Sequence, residues 1–335
     1  MDLSQRKKNI LKAVVSENIK TAEPVSSSEL AREYLKDVSS ATIRNELAAL
    51  EEMGYLVQPH TSSGRVPTLQ GFKKYIEELM PEQKLSQAES AKIKSEIASR
   101  INNISEIVES TAEIISNASN YASIVSFGVS DSAEIEKLMI MPITERQALV
   151  VVVTDIGTIK ETIETSGMDE GELGSAEKFI SERLVGKTLG DAITLAESMP
   201  DEIKKYQLLF EAVIEAISEK AESETNRVVV KGREKLLDYP EFQDTEKFKQ
   251  TLKTLGDKSK LKDIIDDDSE LEISIKIGSE NEDGMENSSV VTAKYKVGGK
   301  VAGTASVVGP VRMDYARVIS ILKDVTKNLE NNIND

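Results

Sequence analysis

Two residue types decide most of the chemistry open to this 335-residue chain: cysteine is absent and histidine occurs once, at His60. Without thiols there is no disulfide framework, thiolate nucleophile, Cys-ligated zinc or iron–sulfur cluster. A His-rich metal site is excluded, and a His-dependent triad has only His60 to draw on. Carboxylates number 58, so the mere presence of an acidic pair says nothing. The side chains whose types and spacing suit a specific chemistry are Ser39, Ser40, Thr42, Arg44 and Asn45, followed by His60 and Arg65 and then by Lys73 and Lys74. Hydroxyl, guanidinium and carboxamide groups in the first turns of a helix are suited to duplex DNA. Arg pairs well with guanine and Asn with adenine, and a helix N-terminus holds phosphate.

The elements that must position them can be read along the first 80 residues. Ile10, Leu11, Val14, Val15 and Ile19 recur at helical spacing. Thr21-Ala22-Glu23-Pro24 ends that helix, since proline lacks an amide donor and restricts its predecessor. Ser26 and Glu29 form a capping box for a second helix with Leu30, Ala31, Tyr34 and Leu35 on its buried side. A third helix starts at Ser39 or Ser40, either of which can cap it, and stops at Gly54. Ile43, Leu47 and Leu50 share one side of it. The opposite side, Ala41, Asn45, Ala48 and Ala49 with Thr42 and Arg44 flanking, is slim and nearly uncharged, as entry into a major groove about 12 Å wide demands. Tyr55-Leu56-Val57, a polar turn through Gly64 and Arg65-Val66-Pro67 read as a hairpin, a wing for phosphates or the minor groove. Gly64 allows close backbone approach there. For His60, a surface turn residue and a DNA contact both remain open. Thr68 can cap a last helix over 69–79, which carries Lys73 and Lys74.

The net charge is −16, yet residues 1–80 hold 11 bases and 11 acids, so all of it lies in residues 81–335. A neutral, locally basic head on an acidic body confines DNA contact to the head, because screening shortens electrostatic reach to about 8–10 Å. The N-terminus lacks the apolar stretch of a signal peptide, and the longest apolar run, Ala148–Val153, is far short of a membrane span. A cytoplasmic chain without a membrane partner is expected.

The strings Ser39-Ser40-Ala41-Thr42-Ile43-Arg44-Asn45-Glu46-Leu47, Leu50-Glu51-Glu52-Met53-Gly54-Tyr55-Leu56 and Pro59-His60-Thr61-Ser62-Ser63-Gly64-Arg65-Val66-Pro67-Thr68 resemble the HrcA heat-shock repressor family. Ile277-Gly278-Ser279-Glu280-Asn281 and Gly309-Pro310-Val311-Arg312-Met313-Asp314-Tyr315 are similar to that family's C-terminal signature. Val25-Ser26-Ser27-Ser28 departs slightly from the expected Gly-Ser form, but Ser26 still caps. The resemblance implies a multidomain α+β protein: a winged helix-turn-helix (1–80), a GAF-like domain (81–129 and 227–335) and a dimerisation domain inserted at 130–226. It implies a homodimeric transcription repressor, not an enzyme, that needs no cofactor. Such a dimer would bind CIRCE, an inverted-repeat operator upstream of chaperone operons such as those of DnaK and GroE, release it on heat shock, and be kept active by the GroE chaperonin. Ser39, Ser40, Thr42, Arg44, Asn45, His60, Arg65, Lys73 and Lys74 would contact DNA.

The body's own patterning suits assembly better than catalysis. Residues 81–90 read as a polar linker. Ile93, Ile97, Ile101, Ile104, Val108 and Ile115 make a seam along a helix of about 30 residues, packing on its own domain or a partner chain. Three β-type segments (135–141, 148–154, 158–165) suggest an antiparallel meander followed by helices over 173–185, 188–198 and 201–220. Strand character resumes at 227–230, with helices near 241–255 and 258–266 and an alternating strand over 271–277. Strands 289–297 and 300–308 flank the turn Gly298-Gly299, and a helix over about 313–331 closes the chain. Gly298-Gly299 with Gly303 is no dinucleotide fingerprint, Asp266-Asp267-Asp268 lacks EF-hand spacing and reads as a solvated loop, and no Walker A motif occurs. Two rival functions remain: a regulator with an effector in the GAF-like pocket, and an enzyme built on an acidic pair, for which no motif defines a pocket.

Overall fold

The computed structural model describes residues 3–60, 63–98, 104–127, 133–155, 157–165, 167–197, 206–224, 227–265, 271–281, 283–297 and 299–333. Asp266-Asp267-Asp268 and the wing tip Thr61-Ser62 lie outside them.

The head is a winged helix. Helix α1 (Gln5–Thr21) buries Ile10, Leu11, Val14 and Val15 and ends on Ala22 in the left-handed region, φ 62°. Helix α2 (Ser27–Glu33) begins with the Ser26–Glu29 capping box. Helix α3 (Ser40–Glu52) is capped by Ser39, buries Ile43, Leu47 and Leu50, and is followed by Gly54 at φ +80°. Strands β1 (Leu56–Val57) and β2 (Val66–Pro67) pair antiparallel, and an isolated bridge between Val25 and Arg65 adds a third edge. Helix α4 (Leu69–Lys74), capped by Thr68, continues as a π-helical turn, Tyr75–Leu79. The single helix expected over 69–79 therefore changes its winding halfway, with Phe72 and Tyr75 still buried.

The body opens with α5 (Gln87–Ala98) and α6 (Ile104–Ser119). They cover most of the one 30-residue helix expected here; the stretch between them, with Ile101 of the seam, lies outside the described residues, and α5 starts inside the expected linker. Ile93, Ile97, Val108 and Ile115 of the seam are buried within the chain itself. Ser86 donates from its hydroxyl and amide to Glu89, and Arg317 adds an ion pair at 2.9 Å. Together, the serine contributions first, they hold the Glu89 carboxyl at about 2.

Strand β3 (Ala122–Phe127) leads to a separate antiparallel meander, β4 (Ile135–Thr144), β5 (Gln147–Thr154) and β6 (Gly157–Glu164). Helices α7 (Glu170–Leu184), α8 (Leu189–Glu197) and α9 (Gln207–Glu224) follow, α7 packing on β4 and α9 on β6. Then come β7 (Arg227–Lys231), α10 (Thr245–Thr254), α11 (Lys258–Ile265), β8 (Ile273–Ile277), β9 (Ser288–Val297), β10 (Lys300–Pro310) and α12 (Tyr315–Ile333).

Strands from both sides of the meander unit join in one five-stranded antiparallel sheet, order β7-β3-β10-β9-β8. Side chains alternate across it with the period of two that strands impose. Val125, Phe127, Val291, Ala293 and Val307 join the core formed with α6 and α12, while Ile124, Val290 and Val308 meet Leu236, Phe242, Leu255 and Ile264 on the other face. This is the α+β, GAF-like architecture expected beside a winged helix. Gly303 is required where β10 crosses β3, since a Cβ there would lie 2.1 Å from the Ser126 carbonyl.

Candidate nucleic-acid interface

Helix α3 owes its rigid start to two hydroxyl pairs. Ser39 Oγ accepts from the Thr42 amide at 3.1 Å and lies 2.8 Å from Thr42 Oγ1. Ser40 Oγ meets Ser27 Oγ at 3.1 Å, tying the first turn of α3 to the first turn of α2. Ser39 is thus the cap and Ser40 the cross-link, which settles the choice that the sequence left open. An N-cap hydroxyl is worth about 1 kcal/mol of helix stability.

Beyond these ties the helix offers its slim face. Ala41, Arg44 and Asn45 are exposed, and Ala48 and Ala49 are half-buried. The side chains of Arg44 and Asn45 make no hydrogen bond or ion pair among the described residues, so their donors are available to a ligand. Two of the helix's three acids are occupied: Glu46 takes Lys7 at 2.6 Å, and Glu51 takes Arg65 at 2.8 Å, while Glu52 is exposed at the C-terminal end.

Arg44 also lines a cleft of about 380 Å3 with Ser27, Ser28, Gln58, Ser63 and Arg65, where α2, α3 and the wing converge. The structure therefore brings Ser40, Arg44 and Arg65 to one end of the head. Gln58, Ser27, Ser28 and Ser63 join them and were not singled out from sequence. Ser27 and Ser28 stood in a capping string that accounted for them, and nothing local marks Gln58.

Arg65 stands in the wing with only 17% of its side chain exposed, because its Nε and Nη2 both bond Glu51. Its guanidinium braces the hairpin against the end of α3 rather than reaching freely outward. Gly64 is needed beside it: a Cβ would fall 2.4 Å from the Val25 carbonyl oxygen, so the close approach is to the chain's own backbone. His60 is exposed. Its amide donates to Ser63 Oγ at 3.0 Å, and Ser63 Oγ donates to its carbonyl at 2.7 Å, which folds the turn.

Lys73 and Lys74 do not join the α3 surface as free cations. Lys74 pairs with Glu78, also 3.5 Å from Lys8, and Lys73 pairs with Glu280 of the body. The described residues contain no cluster of three or more His, Asp or Glu groups suited to a metal ion. No helix among them is long and apolar enough to cross a membrane.

A helix-turn-helix whose second helix leaves an Arg and an Asn unbonded on a small-residue face, with a hairpin braced beside it, defines a winged-helix DNA-binding regulator. Known proteins agree. A family described as "Winged helix-turn-helix transcription repressor, HrcA DNA-binding" matches residues 2–80, and "HrcA protein C terminal domain" matches residues 105–319. The chain is 35% identical to the heat-inducible transcription repressor HrcA of Desulforudis audaxviator, over 98% of this chain and 97% of that one. It is 35% identical to the protein of the same name from Clostridioides difficile, over 96% and 97%. A crystal structure described only as a hypothetical protein shares the fold, with a TM-score of 0.59 and 22% identity over 99% of both chains. The chain belongs to the HrcA family of heat-inducible transcription repressors. It is a DNA-binding regulator, not an enzyme.

Proposed function

We propose that the chain acts in the cytoplasm as a homodimer that represses chaperone operons, such as those of DnaK and GroE, by binding the inverted-repeat CIRCE operator with one winged helix on each half-site. The observation that carries this reading is the unbonded Arg44–Asn45 pair on the narrow face of α3. Thr42, Arg44 and Asn45 contact base edges, Ser39 and Ser40 set the helix N-terminus on phosphate, and His60 flanks the groove from the wing. Lys74 reaches the backbone only by exchanging Glu78 for phosphate, whereas Lys73, expected at the backbone too, is held by Glu280 of the body. The acidic body repels DNA and restricts contact to the two heads.

The meander unit of residues 130–226 is the dimerising element in this reading. Its helices cover one face of β4–β5–β6. On the other, Met139 faces Val151 and Met141 faces Leu149 across the strands, and Met141 is 43% exposed. On β6 Lys160 stands beside Val151 and Thr162 beside Leu149, so the face is apolar along β4 and β5 with a polar edge, and such a surface suits a second copy of itself. Side chains pack against both faces of the five-stranded sheet, and temperature is the signal in this reading. An interface of marginal stability loses dimer steeply on heating, and the GroE chaperonin returns released subunits to the active form.

Footprinting on the chain's own chaperone promoters at two temperatures, with dimer fraction measured alongside, tests the reading. Operator occupancy and dimer fraction fall together on heating. Occupancy lost from an intact dimer contradicts the mechanism, and failure to protect any inverted repeat at low temperature contradicts the function.

A further inference from the structure

Two signature segments, Ile277–Asn281 and Gly309–Tyr315, lie more than two hundred residues from α3, and base reading makes no use of them. Both grip the winged helix. Arg312 Nη1 donates to the Ile19 carbonyl at 3.0 Å, in the last turn of α1, where helix carbonyls lack partners within the helix. The same guanidinium is held from the body by Glu241, at 2.6 Å through Nε and 3.3 Å through Nη2. It sits 5.8 Å from the Tyr239 ring centre, and Tyr239 stacks on Tyr121 at 5.1 Å. Only 13% of the Arg312 side chain is exposed.

The second grip is on α4. Glu280 pairs with Lys73 through one oxygen and accepts the Ile277 amide at 2.9 Å through the other. Partial burial raises its pKa, but the lysine and the amide outweigh that and leave the carboxyl below its ordinary value. Beside it Gly278, at φ +59°, lets Leu69 of α4 approach to where a Cβ would stand 2.8 Å away. The head is thus held at two separated points, by groups that both come from the C-terminal signature.

We infer that Arg312, with the Glu280–Lys73 pair as a second tie, positions the winged helix at one angle on the body and so sets the half-site spacing that the dimer accepts. The inference rests on the dimeric operator reading above. Two heads bind one duplex only if their recognition helices lie about 34–36 Å apart or at a multiple of that distance. A swivelling head tolerates many spacings and loses orientational freedom on binding, whereas a clamped head has lost it beforehand. A guanidinium suits the clamp because its planar fork serves a carboxylate and a carbonyl at once, which an ammonium cannot do in the same geometry.

Arg312→Met keeps the aliphatic stem and removes the fork; Glu280→Gln removes the second tie at a partly exposed position and spares the core. Each full-length variant is titrated by mobility shift against the natural inverted repeat, repeats with the spacer changed by a few base pairs, and a single half-site. Arg312→Met is expected to leave half-site affinity unchanged, weaken the natural repeat about tenfold and flatten the preference among spacers. Glu280→Gln moves the same ratios in the same direction by less. Equal losses on half-site and full repeat, or an unchanged spacer preference, overturn the inference. A readout free of DNA separates the clamp from the function. Because the chain has no cysteine, Lys36→Cys and Lys253→Cys give a unique pair of spin labels, with labelled protomers diluted in unlabelled chain. One narrow head–body distance that broadens in Arg312→Met supports the clamp even if no operator is found. A broad distribution in the parent, or a narrow one in both, rejects it.

Discussion

Arg44→Ala is expected to lower operator affinity by about 1–3 kcal/mol and to relax base preference at one position of each half-site, as the loss of a bidentate base contact does. The expectation is clean because the side chain carries no structural duty. The Arg44 side chain is exposed and has no partner among the described residues, so the folded head keeps its other contacts and its unfolding free energy changes by no more than about 0.5 kcal/mol. Affinity and stability therefore part company in this variant. Shift titrations at fixed salt, run against operators substituted one base pair at a time, measure both the loss and where specificity has gone. An unchanged affinity removes Arg44 from the reading surface. A uniform loss across all substituted operators makes it a phosphate contact.

Gly64→Ala is expected to do the reverse, destabilising the head by about 1–3 kcal/mol and abolishing measurable operator binding together with it. An added methyl group meets backbone, the Val25 carbonyl at 2.4 Å, and backbone cannot turn aside as a flexible side chain would. The strand bridge between Val25 and Arg65, with amide–carbonyl bonds of 2.9 Å in both directions, must open to admit it. The wing then leaves α3 and takes Arg65 from Glu51, which restores a bare negative charge beside the groove-facing helix. Denaturant unfolding followed by circular dichroism gives the stability change, and the shift assay the function. A variant as stable as the parent that still binds shows that the bridge has slack to absorb the methyl group.

What was legible in the sequence was local. Ser26 and Glu29, three apart, form a capping box wherever a helix follows, and the box is present. The Ile43–Leu47–Leu50 stripe could face only one core. The meander and the helices after it were readable because alternation and helical spacing each point to one element type. Ser39 and Ser40 could not be told apart, since both are capping residues; only the neighbouring α2, which offers Ser27 to Ser40, decides between them. The π-helical turn at Tyr75–Leu79 was hidden because Phe72, Tyr75 and Leu79 recur as α-helical positions also do. The surface was less legible. Arg65 and Glu51 are 14 positions apart and Lys73 and Glu280 are 207; nothing local says that such charges will meet. A base in a wing reads as free until the carboxylate across the fold is placed.

That internal pairing shapes how the head senses ions. Of its eleven bases, Arg6, Lys7, Lys8, Lys20, Arg32, Arg65, Lys73 and Lys74 already face carboxylates of the same chain. Each phosphate neutralised by a free base expels condensed counterions from the duplex and adds about −0.9 to the slope of log K against log salt. A base that brings its own carboxylate to the duplex expels fewer. In this reading the complex draws little of its tightness from the ionic atmosphere of DNA, and its grip weakens gently as salt rises. A rise in salt that would strip a polybasic binder is then expected to leave most of this complex in place, which a salt titration of operator affinity measures.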